Sequence, residues 1–146
     1  MVKSMRPLAA MMPTESSMRH LLLVGLGGAL GAMARHALGA WLQRLTAPVA
    51  SGFPVSILLI NVLGCLAAGA IVGLAMRGTA ISADTRLFLL VGVLGGFTTF
   101  SAFGLELVAL LRRGETAAAG LYAGGSVVLG VAAVLIGWRL TAAWAT

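Results

Sequence analysis

An all-α membrane protein with four transmembrane helices is the fold class that this sequence predicts, and three observations carry the prediction. The chain has 146 residues, 60% of them hydrophobic and only 10% charged, with a mean hydropathy of +1.02. A soluble domain averages about 25% charged residues, so this chain has too little polar surface to wrap a core in water. Four apolar runs follow one another, each about 20–25 residues, the length a helix needs to cross a bilayer. The basic residues Arg19, Arg44, Arg77, Arg86, Arg112, Arg113 and Arg139 fall at the ends of those runs, where cations meet lipid headgroups. In a soluble protein a net charge of +6 would suggest nucleic acid. Here no basic face lies outside the spans, so the bilayer is the partner and nucleic acid is excluded.

Residues 1–17 carry Lys3, Arg6, Pro7, Pro13 and Glu15 without a sustained period and are read as a disordered N-terminal tail. Residues 18–146 make the membrane domain, with spans at about 21–42, 54–76, 87–111 and 117–140. The first run is kept as a span, not a cleaved leader, because no soluble domain follows it. Pro54 opens the second span, where its missing N–H does no harm. Asp84 precedes the third, where a carboxylate suits a helix N-terminus. Trp41, Trp138 and Trp144 lie near span ends, as interface aromatics do. Short connections predict an up-down-up-down bundle.

The 20 glycines form small-residue faces. Gly27/Gly31, Gly69/Gly73 and Gly120/Gly124 have the four-residue spacing that lets membrane helices approach closely. Cys65 is the only cysteine, which leaves no intrachain disulfide and no thiolate metal cluster. Cations nearly balance between the two sides once the tail is set aside, so no single orientation is favoured. The expectation is insertion in both directions and antiparallel pairing of two copies.

The third span is interrupted in its middle by Gly95-Gly96-Phe97-Thr98-Thr99-Phe100-Ser101. Glycine costs about 1 kcal/mol against alanine in a helix, and threonine loses rotamer freedom there. Irregular backbone at membrane depth survives only inside protein or along a cavity, so a break at Gly95–Gly96 points to an ion or substrate site. Its hydroxyls, on Thr98, Thr99 and Ser101, either face such a site or bond back to the preceding turn. Freed carbonyls there can coordinate a small cation. Asn61 lies about 10 Å into the second span, and its amide must bond either another helix or cargo. Phe100 and Phe103 share a helix face; their positive ring edges suit an anion path as well as packing. Tyr122 and Ser126 stack four apart in the fourth span, as a polar track or as part of a glycine-rich face. Arg35 either snorkels to the interface or lends a vestibule positive potential. Glu106 is an acid inside the third span that needs a partner or water. Nothing resembles a hydrolytic triad, a metal-ligand cluster or a phosphate loop, so no enzyme chemistry is predicted.

Three stretches now converge. GGALGAMARH at Gly27–His36, FPVSILLINVLG at Phe53–Gly64 and GGFTTFSAFGLE at Gly95–Glu106 resemble, in order, the GGxxGAxxR, FPxGTLxVNxxG and GGxTTFSTFxxE patterns of the Fluc fluoride channels, the CrcB family. The resemblance runs from about Met18 through the fourth span. It implies a dual-topology homodimer in the bacterial inner membrane that lets fluoride, and not chloride, leave the cytoplasm through two pores. By position, Asn61, Phe100 and Phe103 match the family's pore-lining residues, and Tyr122 and Ser126 its fourth-span hydroxyl track. Gly95 and Thr98 match the residues whose carbonyls, from both subunits, hold a structural Na⁺ at the dimer interface. Arg35 and Glu106 match family positions; together with Thr99 and Ser101 they are assigned vestibule or support roles. The chain departs from the pattern at Ser56-Ile57, Ala102, Gly104, Gly130 and His36. Physically, a small, tightly hydrated anion needs dense neutral donors and an exit from the site, which this set supplies. Two other readings fit less well: a four-helix multidrug-type exporter, whose coupling acid is missing from the first span, and a non-transporting assembly subunit, which leaves the break unexplained.

Overall fold

The computed structural model describes residues 14–50, 52–76 and 81–143. The tail through Pro13, Arg77 and Trp144 lie outside these residues. Helix α1 spans Glu15–Ala50, α2 Val55–Met76, α3 Ala83–Arg86, α4 Gly95–Phe97, α5 Phe100–Arg112 and α6 Thr116–Ala143. Between α3 and α4 the helix widens to π-type bonding over Leu87–Leu94. The segments from α3 through α5 form one interrupted crossing, so the described chain contains four helical spans long and apolar enough for a bilayer.

Several boundaries differ from the expectation. Helix α1 starts at Glu15, inside the stretch read as tail, because the Thr14 side chain and carbonyl take the Ser17 and Met18 N–H groups. It also runs on to Ala50, through residues read as a connection. Ser82, not Asp84, caps the third crossing: its hydroxyl accepts the Thr85 N–H at 3.1 Å. Asp84 lies in the first turn and reaches back to Arg19 at 2.8 Å and His20 at 3.4 Å. At the far end of α5 the Glu115 N–H returns to the Leu110 carbonyl and the Gly114 N–H to Leu111, each at 3.0 Å. Gly114, at φ +79°, is the left-handed residue this closure requires.

Two ties fix the order of the crossings. Arg19–Asp84 joins the start of α1 to the start of the third crossing, and Arg113 donates to the Gly52 carbonyl at 3.0 Å, joining the α1–α2 and α5–α6 connections. Successive spans therefore alternate in direction, as the short connections predicted.

Glycines set the helix spacing. A Cβ on Gly31 would strike the Val93 carbonyl, and one on Gly96 the Gly28 carbonyl, so α1 and the third crossing touch backbone to backbone. Gly69 meets Val134 and Gly137 meets Leu66 in the same way between α2 and α6. Gly120 and Gly124 behave otherwise: nothing in the described protomer lies within 4 Å of a Cβ at either position. Their spacing matches a close-packing motif, yet within one copy they face outward. The small buried core gathers Leu110, Ala119 and Tyr122 against Phe53, Leu58, Phe103 and Leu107.

Candidate functional site

The break falls three residues later than the glycines suggested, at Thr98–Thr99 and not Gly95–Gly96. Gly95 and Phe97 bound the helical segment α4, and the backbone becomes extended at Thr98 (φ −83°, ψ 158°) and Thr99 (φ −151°, ψ 117°). The physical reason is local capping combined with a distant partner. The Thr99 hydroxyl accepts the Ala102 N–H at 3.1 Å and so starts α5. Asn61, on α2, pairs with both backbone groups of Thr99: its Oδ1 accepts the N–H at 2.9 Å and its Nδ2 donates to the carbonyl at 3.2 Å. The glycine at 96 serves the close approach to α1 instead.

These bonds redirect donors. In an unbroken helix the Thr99 N–H would serve the Gly95 carbonyl and the Ala102 N–H would serve Thr98. Here the first goes to Asn61 and the second to the Thr99 hydroxyl. The carbonyls of Gly95 and Thr98 thereby lose their helical partners. The Gly96 carbonyl is taken by Arg35 Nε at 3.1 Å. Arg35 thus neither snorkels outward nor lines the cavity below; it is half-buried against the break.

A cavity of about 290 Å³ opens beside the break, lined by Asn61, Cys65, Thr98, Thr99, Phe100, Phe103, Ser126 and Val127. That volume holds several waters. Four spans contribute to the site if Arg35 is counted, and α2, the broken crossing and α6 supply the cavity wall. Gly64, one turn from Asn61, leaves room for the Thr98 methyl, which a Cβ would strike. The rings form a chain: Phe100 and Phe103 centroids are 5.5 Å apart, Phe103 and Tyr122 5.1 Å, and Tyr122 and Phe53 5.7 Å at 87°. Phe100 is 85% exposed on the protomer, whereas Tyr122 is fully buried.

The hydroxyls are mostly committed. Thr98 Oγ1 donates to the Leu94 carbonyl at 2.8 Å, and Ser126 donates to the Tyr122 carbonyl at 2.6 Å. Both are bonds back to the preceding turn. Thr99 and Ser101 share a hydrogen bond at 3.1 Å. The Tyr122 hydroxyl is buried with no partner among the described residues. Glu106 is half-buried and outside the cavity wall. The second Nδ2 hydrogen of Asn61, the Cys65 thiol and the phenyl edges remain as uncommitted neutral groups around the cavity. Cys65 and Phe53 were not singled out in the sequence as site residues, although Cys65 lies one turn after Asn61 on the same helix face.

An interrupted crossing held against neighbouring helices around a neutral-walled cavity defines a multi-pass membrane protein built to handle a small solute at membrane depth. Comparison with known proteins gives the particular family. The profile of the CrcB-like protein, Camphor Resistance (CrcB) family matches residues 22–138, and the chain belongs to that family. It is 50% identical over 119 residues to a fluoride-specific ion channel FluC of Thermus thermophilus, an alignment covering 82% of this chain and 91% of the relative. Over 121 residues it is 51% identical to a protein of the same name from Hyphomonas neptunium, covering 82% and 93%. A Chlorobium chlorochromatii relative of that name is 44% identical over 125 residues, covering 86% and 93%.

Proposed function

We propose that this chain is a fluoride-specific channel, not an enzyme, that lets fluoride leave the cytoplasm passively. Its site is the cavity beside Thr98–Thr99. The observation that carries the reading is the Asn61–Thr99 pairing: it opens the backbone at membrane depth with neutral groups, beside two phenylalanines, in a chain whose relatives are named for fluoride. Among the described residues, no carboxylate or cation lines the cavity. An ion that holds its hydration tightly needs donors to replace water, but a fixed charge at the narrowest point would trap it. The spare Asn61 N–H and the ring edges of Phe100 and Phe103 attract an anion without that trap. The α5 N-terminus adds the positive end of a helix dipole on the same side. Ser126 lines the cavity, and Tyr122 stacks behind Phe103.

The working unit is proposed to be an antiparallel pair of copies. Phe100 stands exposed on one protomer, and the cavity beside it is too wide and open to strip a fluoride by itself. A second copy on this face narrows it. By sequence, Arg19, Arg77, Arg86 and Arg139 at one end nearly balance Arg44, Arg112 and Arg113 at the other, which supports insertion both ways. The donor set also fits a structural Na⁺. The Gly95 and Thr98 carbonyls are neutral, hard oxygen donors without helical partners, and two copies would present four of them. Bound there, the ion would tie the two breaks together. The bacterial inner membrane is the expected location.

Fluoride efflux from liposomes holding purified protein, measured beside chloride efflux, tests the reading. Fluoride draining while chloride stays supports it; equal leakage of both, or movement of neither, overturns it.

A further inference from the structure

We propose that Arg35 is a positioning residue of this site, acting through its Nε–H and not through its charge. The inference deepens the channel reading and rests on it for the transport readout alone. A helical segment that stops inside a membrane leaves its last carbonyls without donors, and burying such a group unpaired is costly. The segment ending at Phe97 has that problem, because its next-turn donors, the N–H groups of Thr99, Phe100 and Ser101, lie within or beyond the extended pair. Arg35 answers it at one atom: Nε donates to the Gly96 carbonyl at 3.1 Å, from α1, 61 residues away. Asn61, from α2, satisfies the extended residue itself by pairing with both backbone groups of Thr99 at 2.9 and 3.2 Å.

The two side chains splint the break from two different helices. Arg35 fixes the end of α4, and Asn61 fixes the residue before α5. Neither splint donates to the carbonyls of Gly95 and Thr98. Phe100, next to Thr99, takes its place from the same pairing. The geometry also separates this role from that of a vestibule charge. The guanidinium is absent from the cavity wall, and its bond runs into the backbone of the broken crossing. A cation at this helix end is favourable to the local dipole, but the directional contact is the N–H.

Three substitutions at one position separate donor from charge. Arg35→Gln places its Nε2 at the same number of bonds from the backbone as arginine Nε and removes the charge. Arg35→Lys keeps the charge and moves the donor one bond further. Arg35→Met keeps the bulk and removes the donor. The first readout is backbone amide hydrogen exchange over residues 96–102 of the purified full-length protein in lipid, measured without fluoride. A net hydrogen bond from a neutral-strength donor corresponds to roughly fivefold in a local opening equilibrium. Arg35→Met is expected to raise exchange across the break by about fivefold, with Arg35→Gln staying near wild type. Unchanged exchange in Arg35→Met overturns the proposal. Should Arg35→Met fail to fold, the other two decide. Arg35→Gln matching or exceeding Arg35→Lys in protection of the break and in fluoride-over-chloride selectivity supports a donor. Arg35→Lys holding both while Arg35→Gln loses both overturns it in favour of charge. A wild-type protein that carries no fluoride but shows the expected exchange pattern sinks the channel reading and leaves the splint standing.

Discussion

Replacing Asn61 by leucine keeps the side-chain volume and removes both bonds to Thr99. The Thr99 N–H loses its 2.9 Å acceptor and the Thr99 carbonyl its 3.2 Å donor. Each buried backbone group left unpaired costs about 1–3 kcal/mol. Thr99 is half-buried beside a cavity that admits water, which puts the pair at the lower end, about 2–3 kcal/mol. Asn61→Asp retains an acceptor for the N–H but has no donor for the carbonyl, so it loses one of the two bonds and adds a charge beside the cavity. The assay is reversible denaturant unfolding of the purified protein in detergent micelles, with fluoride efflux measured on the same preparations. Asn61→Leu is expected to lose stability by about 2–3 kcal/mol and to lose fluoride efflux. Stability within about 0.5 kcal/mol of wild type would refute the idea that Asn61 holds the break open.

Gly31→Ala places a Cβ on the Val93 carbonyl and 2.8 Å from the Phe97 nitrogen, both backbone, and is expected to cost about 1–3 kcal/mol by the same unfolding assay. Gly25→Ala, with nothing within 4 Å, is expected to be neutral or slightly stabilising. A thiol-reactive methanethiosulfonate reagent is expected to slow fluoride efflux through Cys65, which lines the cavity, while Cys65→Ala carries fluoride and resists the reagent. Arg113→Ala removes the exposed ties to Gly52 and Glu115 and is expected to cost under about 1 kcal/mol in unfolding measurements.

Much of the architecture was legible because the bilayer enforces a simple rule. About 20 apolar residues must run uninterrupted, and the cations must wait at the ends. The ends themselves were harder, since Thr14 and Ser82 cap by side chains while the hydropathy that marks a span continues past them or stops short. The break was visible as a segment but misplaced within it. Gly95–Gly96 carries the weaker helix propensity, yet the extended pair is Thr98–Thr99, because its partner Asn61 lies 38 residues earlier and propensity is local. Arg35 shows the same limit from the other side: span position allowed snorkelling or a vestibule, and only the fold brings it to Gly96. The spacing of Gly120 and Gly124 resembles that of Gly27 and Gly31, and no periodicity distinguishes a face used within a protomer from one turned outward. Cys65 had a signal, its helical offset from Asn61, which its ordinary role as a packing residue concealed.

The most direct test of the central claim, that fluoride passes through the cavity beside the break, is the fluoride efflux rate of Phe100→Ile beside wild type at equal protein incorporation. Phe100 is exposed on the protomer and lines that cavity, so isoleucine removes a ring edge with little effect on the fold. Efflux is expected to fall at least about tenfold, equivalent to about 1.4 kcal/mol in the barrier, with assembly unchanged. Equal rates in the two proteins would place the path elsewhere.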